Sequence, residues 1–322
     1  MNHAPNSSEP ADTDDASERV ARLVESRLDE GGTRRTFLKV AGAAVATAAA
    51  TGCGGVADNP VFEEFFQKHY KRLSDEEKKK IFARIEHDTL QRTGVEVQVG
   101  DPPPIAGVHF AYALNLSVCN GNRRCVEACA RENNLPDDIR YIRVLEMENG
   151  SFDLEHADPF YAHEQVPQKK KFYLPVQCQQ CENPPCVKAC PVGATWPEPD
   201  GIVVIDYNWC IGCRYCQAAC PYFARRFNWD APAVEPERIN PTQAYLSNRL
   251  RPVGVVEKCT FCLQRSRNGR YPACLEACPT GARKFGNLDD PNSEVRQILE
   301  TKRVYVLKEE LGTLPRFFYF FG

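Results

Sequence analysis

Cysteine spacing constrains the fold of this chain more than any other feature of its sequence. Fifteen of its 16 cysteines fall into four runs. Run two has the spacing C-x2-C-x4-C-x3-C-P, run three C-x2-C-x2-C-x3-C-P and run four C-x2-C-x11-C-x3-C-P, whereas run one has asparagine at its second position. The positions are Cys119, Asn122, Cys125 and Cys129 in run one; Cys178, Cys181, Cys186 and Cys190 in run two; Cys210, Cys213, Cys216 and Cys220 in run three; and Cys259, Cys262, Cys274 and Cys278 in run four.

This spacing is typical of cysteines that bind iron–sulfur clusters. A [4Fe–4S] cluster has four irons that each take one soft thiolate, and the spacing of run three is the one that bacterial ferredoxins use. A zinc site needs only two CxxC pairs, and a disulfide framework suits short secreted chains rather than one of 322 residues. The spacing therefore predicts clusters at runs two, three and four.

The fourth cysteine of a ferredoxin run binds the cluster of the partner run. Runs two and three form one pair by their similarity, and runs one and four remain as the other. Our hypothesis is that the fourth cysteines are exchanged within each pair. It predicts four sets of ligands: site A, Cys119, Asn122, Cys125 and Cys278; site B, Cys129, Cys259, Cys262 and Cys274; site C, Cys178, Cys181, Cys186 and Cys220; and site D, Cys190, Cys210, Cys213 and Cys216.

Asn122 makes site A chemically different from the other sites. An amide oxygen is a harder and weaker ligand for iron than a thiolate. We expect a [3Fe–4S] cluster here, with a potential higher than those of its neighbours. The alternatives are a four-iron cluster whose odd iron binds Asn122 or water, and a degraded site without a cluster. The predicted cofactors are thus three [4Fe–4S] clusters and one [3Fe–4S] or atypical [4Fe–4S] cluster.

A pair of arginines precedes a short apolar stretch near the N-terminus. Arg34 and Arg35 lie in TRRTFLK, which closely matches the twin-arginine export signal. The alanine-rich stretch 40–52 is shorter and less apolar than a membrane-spanning helix, which needs about 20 apolar residues. Because the clusters are inserted in the cytoplasm, the protein must be exported in its folded state. The signal predicts a location on the periplasmic side of the cytoplasmic membrane.

Cys53 is the cysteine that lies outside the four runs. It ends the sequence ATGC, which resembles a lipobox, and lipid attachment to its thiol is therefore predicted. Cleavage near residues 48–50 and retention of the signal as an anchor are the alternatives. Two or more acyl chains on Cys53 would hold the protein stably at a membrane.

The sequence divides into four parts. They are a twin-arginine signal region at 1–52, a helical segment and linker at 53–107, a double ferredoxin-like core at 108–286, and a C-terminal strand with an aromatic extension at 287–322. The predicted fold class is α+β, with two interleaved ferredoxin-like modules and an extra N-terminal helical segment. The repeat of PVGA after Cys190 and PTGA after Cys278 indicates a duplication in which one module is inserted within the other.

Periodicity places helices and strands around the runs. Aromatic residues recur at helical spacing from Phe62 to Tyr70, and Ser74 with Glu77 has the pattern of a capping box that opens a second helix. Each run is expected to be a loop followed by a short helix that begins near its third or fourth cysteine. We expect the aromatic residues at 317–321 to be buried against the core or against a partner subunit. The strand-like stretches are 109–118, 141–147, 172–176 and 202–206.

Three motifs carry a resemblance to a known family. They are PVQCQQCENPPCVKACPVGA, GIVVIDYNWCIGCRYCQAACPY and VEKCTFCLQRSRNGRYPACLEACPTGA. With the sequence around them, from about residue 108 to residue 316, they resemble the four-cluster iron–sulfur (beta) subunits of the DMSO reductase and polysulfide reductase family. Two residues depart from the family pattern: Asn122, and Ala130 where proline would follow the fourth cysteine of run one.

The resemblance implies an electron-transfer subunit. Such a subunit carries electrons between a catalytic subunit, for example a molybdopterin subunit, and a quinone-reactive membrane subunit or cytochrome. Its association with the membrane would come through a partner or through lipid on Cys53. A catalytic reductase that uses the open iron near Asn122 and a free-standing periplasmic ferredoxin are the alternatives. A formal charge of −3 gives no electrostatic reason to expect nucleic-acid binding.

Overall fold

The computed structural model describes residues 69–322. Three predictions fall outside the described residues: the export signal with Arg34 and Arg35, the lipid site at Cys53, and the helix that begins near Phe62. Within residues 69–322, no helix is both long enough and apolar enough to cross a membrane.

Most helices of the described residues are short, and four of them begin one residue before the third cysteine of a run, as the sequence predicts. The α-helices are α1 (Asp75–Thr93), α2 (Arg124–Glu132), α3 (Pro185–Lys188), α4 (Tyr215–Ala218), α5 (Leu263–Ser266), α6 (Ala273–Glu276) and α7 (Glu294–Thr301). The four helices that open beside a cysteine are α2, α3, α4 and α6. Short 3-10 turns lie at Tyr70–Arg72, His163–Gln165, Pro236–Arg238 and Glu309–Leu311.

The strands of the described residues form one sheet of four strands and four pairs. The strands are β1 (Gln98–Gly100), β2 (Phe110–Asn115), β3 (Arg143–Glu148), β4 (Lys171–Val176), β5 (Thr195–Pro197), β6 (Val203–Ile205), β7 (Arg225–Phe227), β8 (Thr242–Ala244), β9 (Val256–Lys258), β10 (Arg283–Asn287), β11 (Val304–Tyr305) and β12 (Phe317–Phe320). The larger sheet has the order β10-β2-β12-β11, and the pairs are β1-β8, β3-β4, β5-β6 and β7-β9. This mixed content is that of an α+β protein.

All four strand-like stretches of the sequence contain a strand, namely β2, β3, β4 and β6. Strands β5, β7 and β9 have three residues each, which is too few for a clear alternation of apolar and polar residues. Strand β5 follows run two, β7 follows run three, and β9 leads into run four. The short strands therefore fix the ends of the loops that carry the cysteines.

The aromatic end of the chain is part of the central sheet rather than an extension from it. Strand β12 runs parallel to β2, with Phe317 opposite Tyr112. The rings of these two residues stack with their centroids 5.0 Å apart. Phe317 and Tyr319 are fully buried. The prediction of burial is therefore confirmed for Phe317, Tyr319 and Phe320, which pack in the core of the chain itself, whereas Phe321 is 56% exposed.

Helix α1 opens with the capping box that the sequence predicts. Ser74 Oγ accepts a hydrogen bond from the Glu77 backbone N–H, and the Glu77 carboxylate accepts one from the Ser74 N–H. Phe82 of this helix lies against the ring of Tyr245, with the centroids 5.5 Å apart. Farther along, β1 pairs in parallel with β8. The stretch that precedes the runs is thus joined to the stretch between runs three and four.

Candidate iron–sulfur centres

Site C shows how the structure brings cysteines of different runs together. A cavity of about 340 Å³ is lined by the first three cysteines of run two and the fourth cysteine of run three. These are the four residues that the exchange hypothesis groups together. The thiols are Cys178, Cys181, Cys186 and Cys220, and all four are free.

Site A is a second cavity, of about 330 Å³, built in the same way. Cys119, Asn122 and Cys125 of run one meet Cys278, the fourth cysteine of run four. Helix α2 positions Cys125, and the start of β10 follows closely on Cys278. The geometry therefore joins run one to run four, as the exchange requires.

Site B is the most deeply buried group. Cys129 is close enough to Cys259, Cys262 and Cys274 to interact with them electrostatically, and all four residues are buried. The Asn133 amide lies 3.6 Å from Cys129 Sγ and 3.7 Å from Cys262 Sγ. The hydroxyl of Tyr112 lies 3.3 Å from Cys274 Sγ. Polar groups therefore reach the sulfur atoms of this site from two directions.

Site D lies nearest to the surface. Cys216 is close to Cys210, and Cys213 is exposed. Cys190 comes from the end of run two, and the indole N–H of Trp209 donates to the carbonyl of Val192 at 2.7 Å. That bond holds the turn after Cys190 against the start of run three. The inclusion of Cys190 in this site stays a prediction.

Each site has a cysteine close to a cysteine of a neighbouring site. Cys274 of site B is close enough to Cys125 of site A for their charges to interact. Cys259 of site B interacts in the same way with Cys178 of site C. Cys216 of site D interacts with Cys186 of site C. Sites A and B, sites B and C, and sites C and D thus each have cysteines close enough for electrostatic interaction.

Burial controls the protonation of most of these thiols. Removal from water raises the pKa of Cys119 to about 11 and that of Cys181 to about 12. Cys278 is the opposite case. Its burial acts to raise the pKa, but hydrogen bonds from Thr280 and from backbone N–H groups outweigh it and lower the pKa. Since iron binds the thiolate, binding at the buried positions must release protons.

Asn122 is held by its own loop. Its Oδ1 accepts a hydrogen bond from the Arg124 backbone N–H at 3.0 Å, and its Nδ2 donates to Asn120 Oδ1 at 2.5 Å. The loop is supported from outside, since Tyr161 donates its hydroxyl hydrogen to the Gly121 carbonyl. Both the oxygen and the nitrogen of the side-chain amide therefore make hydrogen bonds within the protein.

Within residues 69–322, no three side chains of His, Cys, Asp or Glu lie close enough to hold a single metal ion. A cluster has a different requirement, because each of its irons takes its own thiolate.

Comparison with known proteins identifies the family of the chain. A family model described as "4Fe-4S dicluster domain" matches residues 169–236 and 242–288, which include runs two, three and four. A selenate reductase subunit of Mesobacillus selenatarsenatis is 34% identical in an alignment of 313 positions that covers 91% of this chain and 99% of that protein. The chain belongs to the 4Fe-4S dicluster family of reductase iron–sulfur subunits.

Other relatives are named as subunits of different oxidoreductases. The chain is 41% identical over 210 residues to Hdr-like menaquinol oxidoreductase iron-sulfur subunit 1 of Archaeoglobus fulgidus, over 61% of this chain and 71% of that protein. It is 34% identical over 238 residues to the arsenate respiratory reductase iron-sulfur subunit of a Shewanella species, over 66% of this chain and 96% of that protein. The family is clear, whereas the reductase names differ from one relative to the next.

Two arginines of this 4Fe-4S dicluster protein test whether its sites suit an anionic cluster. Arg225 and Arg283 are buried, and each lines one of the two cavities. Nε and Nη1 of Arg225 and Nη2 of Arg283 have no hydrogen-bond partner within the described residues. A buried guanidinium is costly unless an anion balances it. Clusters held by thiolates would provide that charge, so the residues fit the cofactor.

Our sequence analysis missed both arginines. The available signal was their position, because each lies five residues after the fourth cysteine of its run: Arg225 after Cys220, and Arg283 after Cys278. It also missed Tyr112 and Asn133, whose contacts with sulfur depend on the tertiary fold.

Proposed function

We propose that this chain is the electron-transfer subunit of a reductase complex and that it carries four iron–sulfur clusters. The observation that supports this proposal most strongly is the grouping of free thiols from different runs at sites A, B and C. Two ferredoxin-like modules, one inserted in the other, account for that exchange. The 15 cysteines of the four runs and Asn122 would fill the ligand positions, with [4Fe–4S] clusters at sites B, C and D.

Electrons would move through the chain by hopping from one cluster to the next. The electrostatic interactions between cysteines of neighbouring sites support the path A–B–C–D. Each step transfers one electron and neither makes nor breaks a covalent bond. The protein would set the potential of each cluster through burial and through hydrogen bonds to sulfur, such as those of Asn133 and Tyr112.

Site A would hold a [3Fe–4S] cluster. Three thiolates are present, and the amide of Asn122 is engaged by Asn120 and Arg124. A fourth iron would therefore need water as its ligand, or it would have to compete with the Arg124 N–H for Asn122 Oδ1. Both are weaker arrangements than a cluster with three irons and three thiolates.

The surface at site D suits contact with a redox partner. Ile211, Tyr215 and Trp229 are each more than half exposed, and the guanidinium of Arg214 lies 4.6 Å from the ring of Trp229. Exposed apolar residues that are grouped together, unlike scattered ones, are typical of an interaction surface. This site D face, made of Ile211, Tyr215 and Trp229, lies beside the exposed Cys213. A docked partner would thus be close to the last cluster of the path.

The proposed partners are a catalytic subunit, for example a molybdopterin subunit, and a quinone-reactive membrane subunit or cytochrome. Relatives are named as subunits of selenate reductase, arsenate respiratory reductase and a menaquinol oxidoreductase. Arg34 and Arg35 support export by the twin-arginine route, and Cys53 supports attachment to lipid on the periplasmic side of the cytoplasmic membrane.

Purification of the tagged full-length chain from detergent-solubilised membranes tests the proposal. We expect a catalytic subunit and a membrane subunit to copurify in fixed ratio to the chain. A monomer with no stable partner would contradict the subunit function and favour the free-standing ferredoxin. Arg34→Lys with Arg35→Lys should leave the protein in the cytoplasm, and Cys53→Ser should abolish labelling of the chain by a radioactive fatty acid.

A further inference from the structure

Arg225 and Arg283 occupy equivalent places in the two halves of the core. Each follows the fourth cysteine of its run by five residues and forms the first residue of a strand, β7 or β10. Their exposed fractions are 1% and 3%. At the same distance after the fourth cysteine, run two has Thr195 and run one has Asn134, which are neutral. Each pair of runs thus contributes one buried cation at this position.

Arg225 lies between thiols of sites C and D. Its Nη2 is 3.0 Å from Cys186 Sγ and 3.0 Å from Thr195 Oγ1. Its charge also acts on Cys216 of site D, where it opposes the effect of burial on the pKa of that thiol. The same guanidinium therefore faces sulfur atoms that belong to two sites.

Arg283 lies between thiols of sites A and B. Its Nη1 donates to Gln177 Oε1 at 2.9 Å and lies 3.9 Å from Cys274 Sγ of site B. It also lines the cavity of site A together with Cys119, Cys125 and Cys278. Its relation to sites A and B repeats that of Arg225 to sites C and D.

Within the described part of the chain, these two arginines lack a carboxylate partner, unlike the buried Arg251 and Arg267. Arg251 is paired with Glu257, and Arg267 is paired with Asp200. Around Arg225 and Arg283 the polar neighbours are thiols, the hydroxyls of Thr195 and Tyr112, and an amide oxygen, none of which is a carboxylate. Since arginine remains protonated, the balancing negative charge must come from the sulfur ligands and from what they bind.

We propose that Arg225 and Arg283 are inter-cluster cations, each of which sets the potentials of two clusters at once. This inference rests on the proposed function. Reduction adds one electron to a cluster and makes it more negative by one charge. A buried cation beside both clusters of a pair stabilises the reduced form of each, which raises both potentials. It also weakens the repulsion between the two clusters when both are reduced.

Redox titration of the full-length protein, followed by EPR, tests the proposal. Arg283→Gln should move the potentials of the clusters at sites A and B to lower values and leave those at sites C and D unchanged. Arg225→Gln should do the reverse. Each variant is the control for the other. Arg225→Lys and Arg283→Lys keep the charge and should give potentials closer to those of the wild-type protein than the glutamine variants do.

The outcomes separate this inference from the proposed function. A wild-type protein without four clusters would contradict the proposed function itself. A wild-type protein with four clusters, whose potentials do not change in either glutamine variant, would overturn the inference alone. If a glutamine variant loses iron, the lysine variant decides: iron retained with lysine supports a requirement for the charge, whereas iron lost in both would show a structural role and overturn the inference.

Discussion

Arg267 and Asp200 form an ion pair with two contacts from which solvent is excluded. Nε of Arg267 is 2.7 Å from Oδ2 of Asp200, Nη2 is 3.1 Å from Oδ1, and the side chains are 1% and 0% exposed. Arg267 also donates to the carbonyl of Pro102 at 2.9 Å. Arg267 lies in the segment between the second and third cysteines of run four. The pair with Asp200 joins this segment to the turn between β5 and β6, and the bond to Pro102 joins it to the stretch that precedes the core.

Asp200→Asn should lower the free energy of unfolding by about 1–3 kcal/mol, because it removes the nearer of the two carboxylates that balance the buried guanidinium and leaves only Glu198, at 3.5 Å. Thermal unfolding of the cluster-loaded protein, scanned at one fixed rate, measures the change. The control is Glu300→Gln, which breaks the exposed pair of Arg296 and Glu300 and should cost about 1 kcal/mol or less. Equal changes in the free energy of unfolding would show that the buried pair stabilises the protein no more than the exposed pair does.

Gly121 lies in the loop of site A, where a side chain has no room. Its φ is +75°, and a Cβ atom there would lie 2.4 Å from the ring of the buried Tyr173. Gly121→Ala should destabilise the protein by about 1–3 kcal/mol through strain and overpacking, and it should displace the run one ligands. We expect a selective loss of iron from site A, measured by iron content and EPR.

Gly150→Ala is the control for that change. Gly150 also has a positive φ, +86°, but nothing lies within 4 Å of an added Cβ atom. It should show the cost of backbone strain without loss of iron. If both variants keep all their iron, the contact between Gly121 and Tyr173 does not support site A.

The sequence predicted the helices that follow the runs because they depend on local spacing. A helix must open close to the third cysteine if that residue and the fourth are to face different clusters, and α2, α3, α4 and α6 all do so. Strand β12 was only partly predictable. The run of aromatics at 317–321 indicates burial, but its pairing beside β2 depends on contacts across about 200 residues, which spacing does not reveal.

The cysteine ligands of the sites could be predicted from the sequence, but the other residues around them could not. Iron–sulfur ligation requires one residue type at fixed offsets, and this leaves a clear pattern in the sequence. Arg225 and Arg283 share only an offset of five residues from the fourth cysteine of their runs; arginine is common at the surface, and only the tertiary structure shows that these two are buried. The interaction between Cys259 and Cys178, which connects sites B and C, likewise follows from the three-dimensional packing.

Asn122→Cys should convert the cluster at site A. With a fourth thiolate available, the three-iron EPR signal of the oxidised protein should disappear, and the iron content should rise from about 15 to about 16 per chain. Asn122→Ala is the matched control and should keep the three-iron signal, since we infer that the amide does not bind iron. A spectrum that changes in the alanine variant would instead identify Asn122 as an iron ligand.

The site D face should bind a partner. Tyr215→Ser combined with Trp229→Ser removes two of its exposed rings and should weaken partner binding at least tenfold, because aromatic residues dominate the energy of such interfaces. Titration of the purified partner onto the immobilised chain measures the effect. Tyr271→Ser, at another exposed aromatic, should leave binding unchanged. Equal binding by all variants would place the interface elsewhere.

Iron and sulfide quantification together with EPR, on anaerobically purified protein before and after reduction with dithionite, tests the central claim most directly. The account predicts about 15 irons per chain, a three-iron signal in the oxidised sample, and signals of interacting four-iron clusters after reduction. An iron content of about eight or less, or zinc in place of iron, would contradict a chain of four clusters.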